Sequence, residues 1–269
     1  MVMSNGRPML RVAAVGDVHC SAGASGVLQP ILEQMARSAD VLTLCGDLTN
    51  HGLPEEAHAL ARELASAAKL PILAVLGNHD YESNKVDEVR QILTGEAGVH
   101  FLDGDCHEIQ GVGFAGCKGF GGGFGRGTLS AFGEPGIKRF VQEAIEEAMK
   151  LESALIRVQD SHHRIAILHY SPIRATVEGE PPEIFPYLGS SRLEEPINRH
   201  AVTAAVHGHA HRGAPEGATA TGVPVYNVSL PVMKHAYPDR PPFRVLSIPL
   251  PQAQVAADES HAPAASELR

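Results

Sequence analysis

Three short apolar runs, at residues 10–15, 41–45 and 72–76, alternate with stretches whose apolar residues recur at helical spacing. That alternation constrains the fold more than any other feature of the chain. Strands this apolar, with Arg11 and Thr43 their only polar residues, must be covered on both sides, and such strands belong to parallel sheets with helical crossovers. Between the first two runs, Val27, Leu28, Ile31, Leu32 and Met35 line one side of a helix predicted over 27–39. A second helix is predicted over 54–68. Pro54 supplies its fixed φ at the first turn, and Glu55 and Glu56 favour its positive end. Residues 86–93 read as a third, short helix.

The remainder is less regular. Residues 99–109 read as short strands, 137–158 as the longest helix, 164–168 and 202–206 as two more apolar strands, and 243–248 as a final strand. Residues 218–228, with Thr221-Gly222 between two β-prone runs, read as a hairpin. Residues 111–127 are very rich in glycine, but the run 119–125 lacks the Lys-Ser/Thr of a phosphate loop. It is expected as a surface loop, with a flap closing over substrate as the functional alternative. The stretch 171–193, with Pro172, Pro181, Pro182 and Pro186, is expected as a long loop able to act as a lid. From 251 the chain turns Ala/Pro/Ser/Glu-rich, so one domain over 1–250 and a disordered tail over 251–269 are expected.

Charge and composition exclude some partners. The 269-residue chain has a formal net charge of −9 and no basic block, which disfavours long nucleic acid and anionic membranes. No apolar stretch approaches the roughly 20 residues a membrane helix needs, and the first residues do not read as a signal peptide. Cys20, Cys45, Cys106 and Cys117 are spread without CxxC pairing, as expected of reduced thiols in a cytoplasmic protein.

The chemistry sits where the apolar runs end. Gly16-Asp17-Val18-His19, Gly46-Asp47-Leu48-Thr49-Asn50, Gly77-Asn78-His79-Asp80, the lone His169 and His207-Gly208-His209-Ala210-His211 each follow a predicted strand. In sheets with helical crossovers, ligands bind outside the carboxyl ends of the strands. The clusters supply more metal-ligand types than one ion takes, so two ions in one site is the economical reading. Oxygen and imidazole donors without thiolate suit Mn, Fe or Zn. A metal amidohydrolase built on His207-Gly208-His209 is the competing enzyme, but that pair normally sits on the first strand. A scaffold that has lost turnover is a further alternative.

In their order and spacing the five clusters resemble the calcineurin-like metallophosphoesterase superfamily: Asp-x-His, Gly-Asp, Gly-Asn-His-Asp/Glu, a lone His, then Gly-His-x-His. The resemblance spans residues 10–250 and nothing in the pattern is missing. It implies an α/β fold, a four-layer αββα sandwich of two mixed β-sheets flanked by helices. It also implies the ligand set: Asp47 bridging two divalent ions, with Asp17, His19 and His211 on one and Asn78, His169 and His209 on the other. The activity implied is hydrolysis of small phosphate esters, diesters more than monoesters, by a hydroxide held between the metals, with His79 as acid. Asp80 either orients His79 or caps the following helix.

The Gly-Asp-Leu-Thr-Asn-His-Gly run resembles the bacterial cyclic-nucleotide-phosphodiesterase-like branch, so Asn50 and His51 are candidate substrate contacts. Arg174 is a third, with Arg192 and Arg212 also close in sequence to motif ends. His207 is expected to point away from its neighbours and be structural. His51, His58, His162, His163 and His200 fall outside the metal pattern.

Overall fold

A computed structural model describes residues 2–4, 7–23, 26–65 and 69–251. The apolar runs become strands whose residues are buried on both faces. The strands are β1 (Val2–Ser4), β2 (Arg7–Val15), β3 (Val41–Cys45), β4 (Ile72–Val75), β5 (Val99–Phe101), β6 (Asp105–Ile109), β7 (Val112–Gly116), β8 (His163–Ile167), β9 (Ala204–His207), β10 (Glu216–Ala218), β11 (Pro224–Asn227) and β12 (Arg244–Pro249). The helices are α1 (Gln29–Ser38), α2 (Pro54–Leu64), α3 (Val86–Ala97), α4 (Pro135–Arg157), α5 (Phe185–Leu188), α6 (Ser191–Arg199) and α7 (Leu230–Ala236).

Two six-stranded sheets form. In the first, β2, β3, β4 and β5 run parallel, and β12 and β1 pair antiparallel with β2. In the second, β7, β8, β9 and β11 run parallel, with β6 and β10 antiparallel at the two edges. Residues 99–109 form short strands as expected, divided between the sheets: β5 closes one and β6 opens the other.

Alternate side chains of one strand serve different layers, as the pleat requires. Ala13, Val15, Leu42, Leu44, Ile72 and Ala74 pack with α1, α2 and α3. Val12, Ala14, Val41, Leu73 and Val75 face Phe114, Ile165, Ile167 and Val206 of the second sheet. On that sheet's outer face, Ala115, Ala166 and Ala205 pack with Leu151, Leu155, Leu193 and Ile197 of α4 and α6. The order is helix, sheet, sheet, helix, the four-layer sandwich of two mixed sheets that the family resemblance implied.

Three local expectations change. The glycines of 121–123 are inside, not on the surface. A Cβ on Gly121 would lie 2.5 Å from the Pro186 carbonyl oxygen, so glycine there permits close backbone packing and not exposure. Residues 171–193 are not an irregular loop but a series of short helical turns, Arg174–Val177, Pro182–Ile184 and α5, leading into α6. Pro182 and Pro186 stand in the first turns, where a missing N–H costs nothing. The third helix runs further than 86–93, to Ala97, where Gly98 ends it at φ 66°. The expected tail lies outside the described residues apart from Pro251.

Candidate metal centre

Asp17, Asp47 and Asn78 follow β2, β3 and β4 of one sheet, while His169 and His209 follow β8 and β9 of the other. The two sheets meet at these carboxyl ends, so both deliver side chains to one point. Backbone bonds lace the loops together: Asp17 N donates to the Gly46 carbonyl at 3.0 Å, His19 N to the Asp47 carbonyl at 3.0 Å, and Gly208 N to the His169 carbonyl at 3.1 Å.

Two groups of donor atoms converge. Asp17, His19, Asp47 and His211 bring one ligand atom each within 4.8 Å of the others, and so do Asp47, His169 and His209. Asp47 belongs to both. Its Oδ2 lies 3.7 Å from His19 Nε2, and its Oδ1 lies 3.5 Å from His169 Nε2, so each oxygen faces a different group. Asn78 Oδ1 is 3.0 Å from His169 Nε2, which places Asn78 beside the second group.

The donor set fits divalent cations. Both ring nitrogens of His19 are buried without a hydrogen-bond partner, a costly state unless another electrophile is bound there. Burial, reinforced by the charge of Asp47, pushes Asp17 up to about 6 despite its hydrogen bond with His211. Burial lowers His19 to about 4 and His209 to about 3, and holds His169 well below the usual imidazole range. These rings are neutral at pH 7, the form that donates a lone pair to a metal. His169 Nδ1 donates to the Cys45 carbonyl at 3.0 Å, and His209 Nε2 to the Tyr187 carbonyl at 3.0 Å. Such bonds fix the tautomer and leave one nitrogen of each ring for the centre.

The backbone is strained at the same place. Asp17 (φ 57°), His19 (φ 42°), Asp47 (φ 48°) and His209 (φ 69°) all hold left-handed conformations. Glycines make the room: a Cβ on Gly77 would lie 2.2 Å from Asp47 Oδ1, and one on Gly208 would lie 2.2 Å from Asp17 Oδ2.

His79 stands beside these donor groups. Its Nε2 is 4.0 Å from Asp47 Oδ2 and its ring is 4.6 Å from that of His19. Its Nδ1 bonds the Asn50 carbonyl at 2.7 Å, so Asn50 reaches the site through its backbone. Asp80 does neither of the jobs its sequence position implied. Its fully buried carboxylate accepts from Leu48 N (3.2 Å), Thr49 N (2.8 Å), Thr49 Oγ1 (2.6 Å) and Gly77 N (2.8 Å). It ties the loop carrying Asp47 to the turn carrying Asn78, and desolvation, with Asp47 nearby, raises it to about 6.

His51 is exposed and pairs with Glu82 at 3.2 Å, and Glu82 also lies 3.8 Å from His79 Nδ1. Glu82 was missed in the sequence, although its i,i+3 spacing from His79 could have marked it. Arg174 is not brought to the cluster: it pairs with Glu178 and lies 5.5 Å over the Phe185 ring. It lines a separate cleft with Arg126 and Glu194. Arg192 bonds the Leu129 carbonyl, and Arg212 donates its backbone N–H to Glu180. His207 is fully buried, with Nε2 2.8 Å from Thr176 Oγ1, a structural place as expected. His58 and His200 pair with Glu96 and Glu152 away from the centre.

An αββα sandwich holding carboxylate, amide and imidazole donors for divalent metal at the meeting edge of its sheets defines a metal-dependent phosphoesterase. The chain belongs to the calcineurin-like phosphoesterase family, whose model matches residues 10–213. Among solved structures it resembles a phosphopantetheinyl hydrolase from Mycobacterium tuberculosis, at 14% identity and TM-score 0.63, covering 96% of this chain and 99% of that one. It also resembles the TT1561 protein of Thermus thermophilus, at 16% identity and TM-score 0.55, covering 90% and 99%. At such identities the likeness concerns the fold. No curated protein sequence matches the chain. Among the described residues, no helix is long and apolar enough to cross a membrane.

Proposed function

We propose that the chain is a dinuclear phosphodiesterase acting on small phosphate diesters. The observation that carries the reading is Asp47, whose two oxygens face two separate donor groups. Asp17, His19 and His211 would hold one Mn, Fe or Zn ion, and Asn78, His169 and His209 the other. When bound, the ions supply Lewis acidity toward the phosphoryl oxygens and lower the pKa of coordinated water.

The protein's own groups do the rest. Asp80 and the glycines keep the Asp47 and Asn78 loops in register. His79, oriented at Nδ1 by the Asn50 carbonyl, presents Nε2 to the site and protonates the departing alkoxide from that atom. Asp47 and Glu82 flank the ring, 4.0 Å from Nε2 and 3.8 Å from Nδ1. Preference for a diester is supported by the cleft that opens on Asn78 and His209, whose mostly apolar lining offers room for an organic group beside the phosphate. Four free cysteines agree with a cytoplasmic setting.

The test compares bis-(p-nitrophenyl) phosphate with p-nitrophenyl phosphate, with added Mn²⁺ and after chelation. Faster, chelator-sensitive cleavage of the diester is expected. Faster monoester cleavage makes the chain a phosphatase, and no metal-dependent cleavage of either makes it a scaffold.

A further inference from the structure

A cleft of about 370 Å³ opens directly on Asn78 and His209. Its wall is apolar and largely aromatic: Phe120, Phe140, Tyr170, Ile184, Tyr187 and Leu188. We propose that this cleft is the subsite for an apolar, ring-bearing substituent of the substrate ester. The assignment rests on phosphoester hydrolysis at the Asp47 centre and specifies the organic group that centre serves.

The wall is assembled from four separate parts of the chain. Phe120 follows β7, Phe140 lies on α4, Tyr170 follows β8, and Ile184 to Leu188 form the turn and helix before α6. The rings meet as aromatic groups do in cores, with Phe120 4.9 Å from Phe140 and 5.6 Å from Tyr170, and Phe140 5.9 Å from Tyr187 edge to face. Yet this cluster is not closed over. The Tyr187 side chain is 62% exposed and Ile184 39%, large apolar groups held at a rim where a ligand would cover them.

The wall is also fixed relative to the metal ligands. The Tyr187 carbonyl accepts from His209 Nε2 at 3.0 Å, and the Tyr170 ring lies 4.3 Å from that of His209. The backbone at Gly121 passes so close to Pro186 and the Phe140 ring that a Cβ would meet them at 2.5 and 2.9 Å. The contact sets the distance between the two sides of the cleft. No lining residue carries a formal charge, and the one ammonium against the wall, Lys118 at 4.6 Å from the Phe120 ring, is 8% exposed and lies 3.7 Å from Glu143. A ring, by contrast, buries apolar surface there and meets aromatic edges.

The test is binding of two probes of equal charge, phenylphosphonate and methylphosphonate, to the full manganese-loaded chain by titration calorimetry. The pH is set so that both are dianions. The phenyl probe is expected to bind roughly 10- to 50-fold tighter. Phe140→Ala and Tyr187→Ala are each expected to shrink that ratio several-fold. Tyr187 is exposed enough for its truncation to leave the fold intact, which a thermal melt verifies. Equal affinities in the parent protein, or a ratio untouched by both substitutions, overturn the subsite. Binding of neither probe overturns the metal-centre reading and the subsite with it. Ring discrimination in a protein that cleaves only monoesters retires the diester preference and leaves the subsite standing.

Discussion

Replacing Asp80 with asparagine tests how the site is held together. The carboxylate is completely buried and faces four donors, two on each oxygen. An amide presents –NH2 in place of one oxygen, so either orientation turns a donor toward donors. The less costly one sets –NH2 against Thr49, whose hydroxyl can turn to accept. It still leaves Thr49 N–H unpaired in a dry site, a cost of about 1–3 kcal/mol. The bonds that survive lose their charge assistance, about 1 kcal/mol each. These losses of about 3–5 kcal/mol are offset by relief of a buried charge, worth about 3 kcal/mol at pH 8 for a carboxyl raised to about 6. The urea midpoint of the metal-free protein at pH 8 should therefore move by no more than about 2 kcal/mol. The Asp47 and Asn78 loops are then no longer tied, so affinity for Mn²⁺ should fall roughly 10- to 100-fold, as for other groups that orient metal ligands. Unchanged Mn²⁺ affinity, or a loss of stability beyond about 4 kcal/mol at pH 8, refutes the reasoning. If turnover alone fell, Asp80 would belong to the proton transfer and not to the scaffold.

Three further outcomes follow from the same geometry. His79→Ala should retain metal and fold but lose roughly 10²- to 10⁴-fold in turnover, seen by metal analysis beside steady-state kinetics; unaltered turnover removes His79 from the chemistry. Gly77→Ala drives a Cβ into Asp47, 2.2 Å from Oδ1, and should abolish tight metal binding while leaving the far-UV circular dichroism spectrum native; normal metal content would show that the loop yields. Burial lowers His207 to about 4 from an ordinary 6.5, so its neutral form stabilises the fold fully above 6.5, and that stability is lost as pH falls toward 4. The metal-free protein should lose about 3 kcal/mol through this residue between pH 7 and 4, and His207→Gln should flatten the urea-midpoint curve; a parallel curve would contradict it.

Some of this was legible in the sequence for a definite reason. Asp17, Asp47, Asn78, His169 and His209 lie within two or three residues of strand ends, so the rule that places ligands beyond carboxyl ends reaches them without knowledge of distant contacts. The faces of the strands were not legible. Val12 and Val15 are alike in hydrophobicity, yet one packs against the second sheet and the other against helices. A strand buried on both sides has no polar period to betray its orientation. Glycine-rich composition misled in a similar way: Gly121 is required by the Pro186 backbone 2.5 Å from where its Cβ would be, not by flexibility. Nor could the Gly-Asn-His-Asp run reveal which way Asp80 faces, because three of its four donors lie on the separate loop after Asp47.

The residues proposed to hold the metals are also those that cost the fold most. Asp17, His19, Asp47 and His209 each hold a left-handed backbone that a residue with a Cβ adopts at a cost of order 1–3 kcal/mol. Asp17 and Asp47 are crowded carboxylates in a dry edge, and His19 has two ring nitrogens with no partner. The scaffold resists relaxing these groups, since Gly77, Gly208 and the Asp80 bonds leave the loops little other path. Divalent cations would relieve the crowded charge and the orphaned nitrogens together, so the folded chain is preorganised for them before they bind. Preorganisation of this kind is local to the strand ends and indifferent to what the phosphate carries. The aromatic wall, by contrast, is gathered from β7, α4, β8 and the turns before α6, segments that share no motif. The same fold can therefore keep its phosphorus chemistry while the organic group it accepts is set by side chains elsewhere.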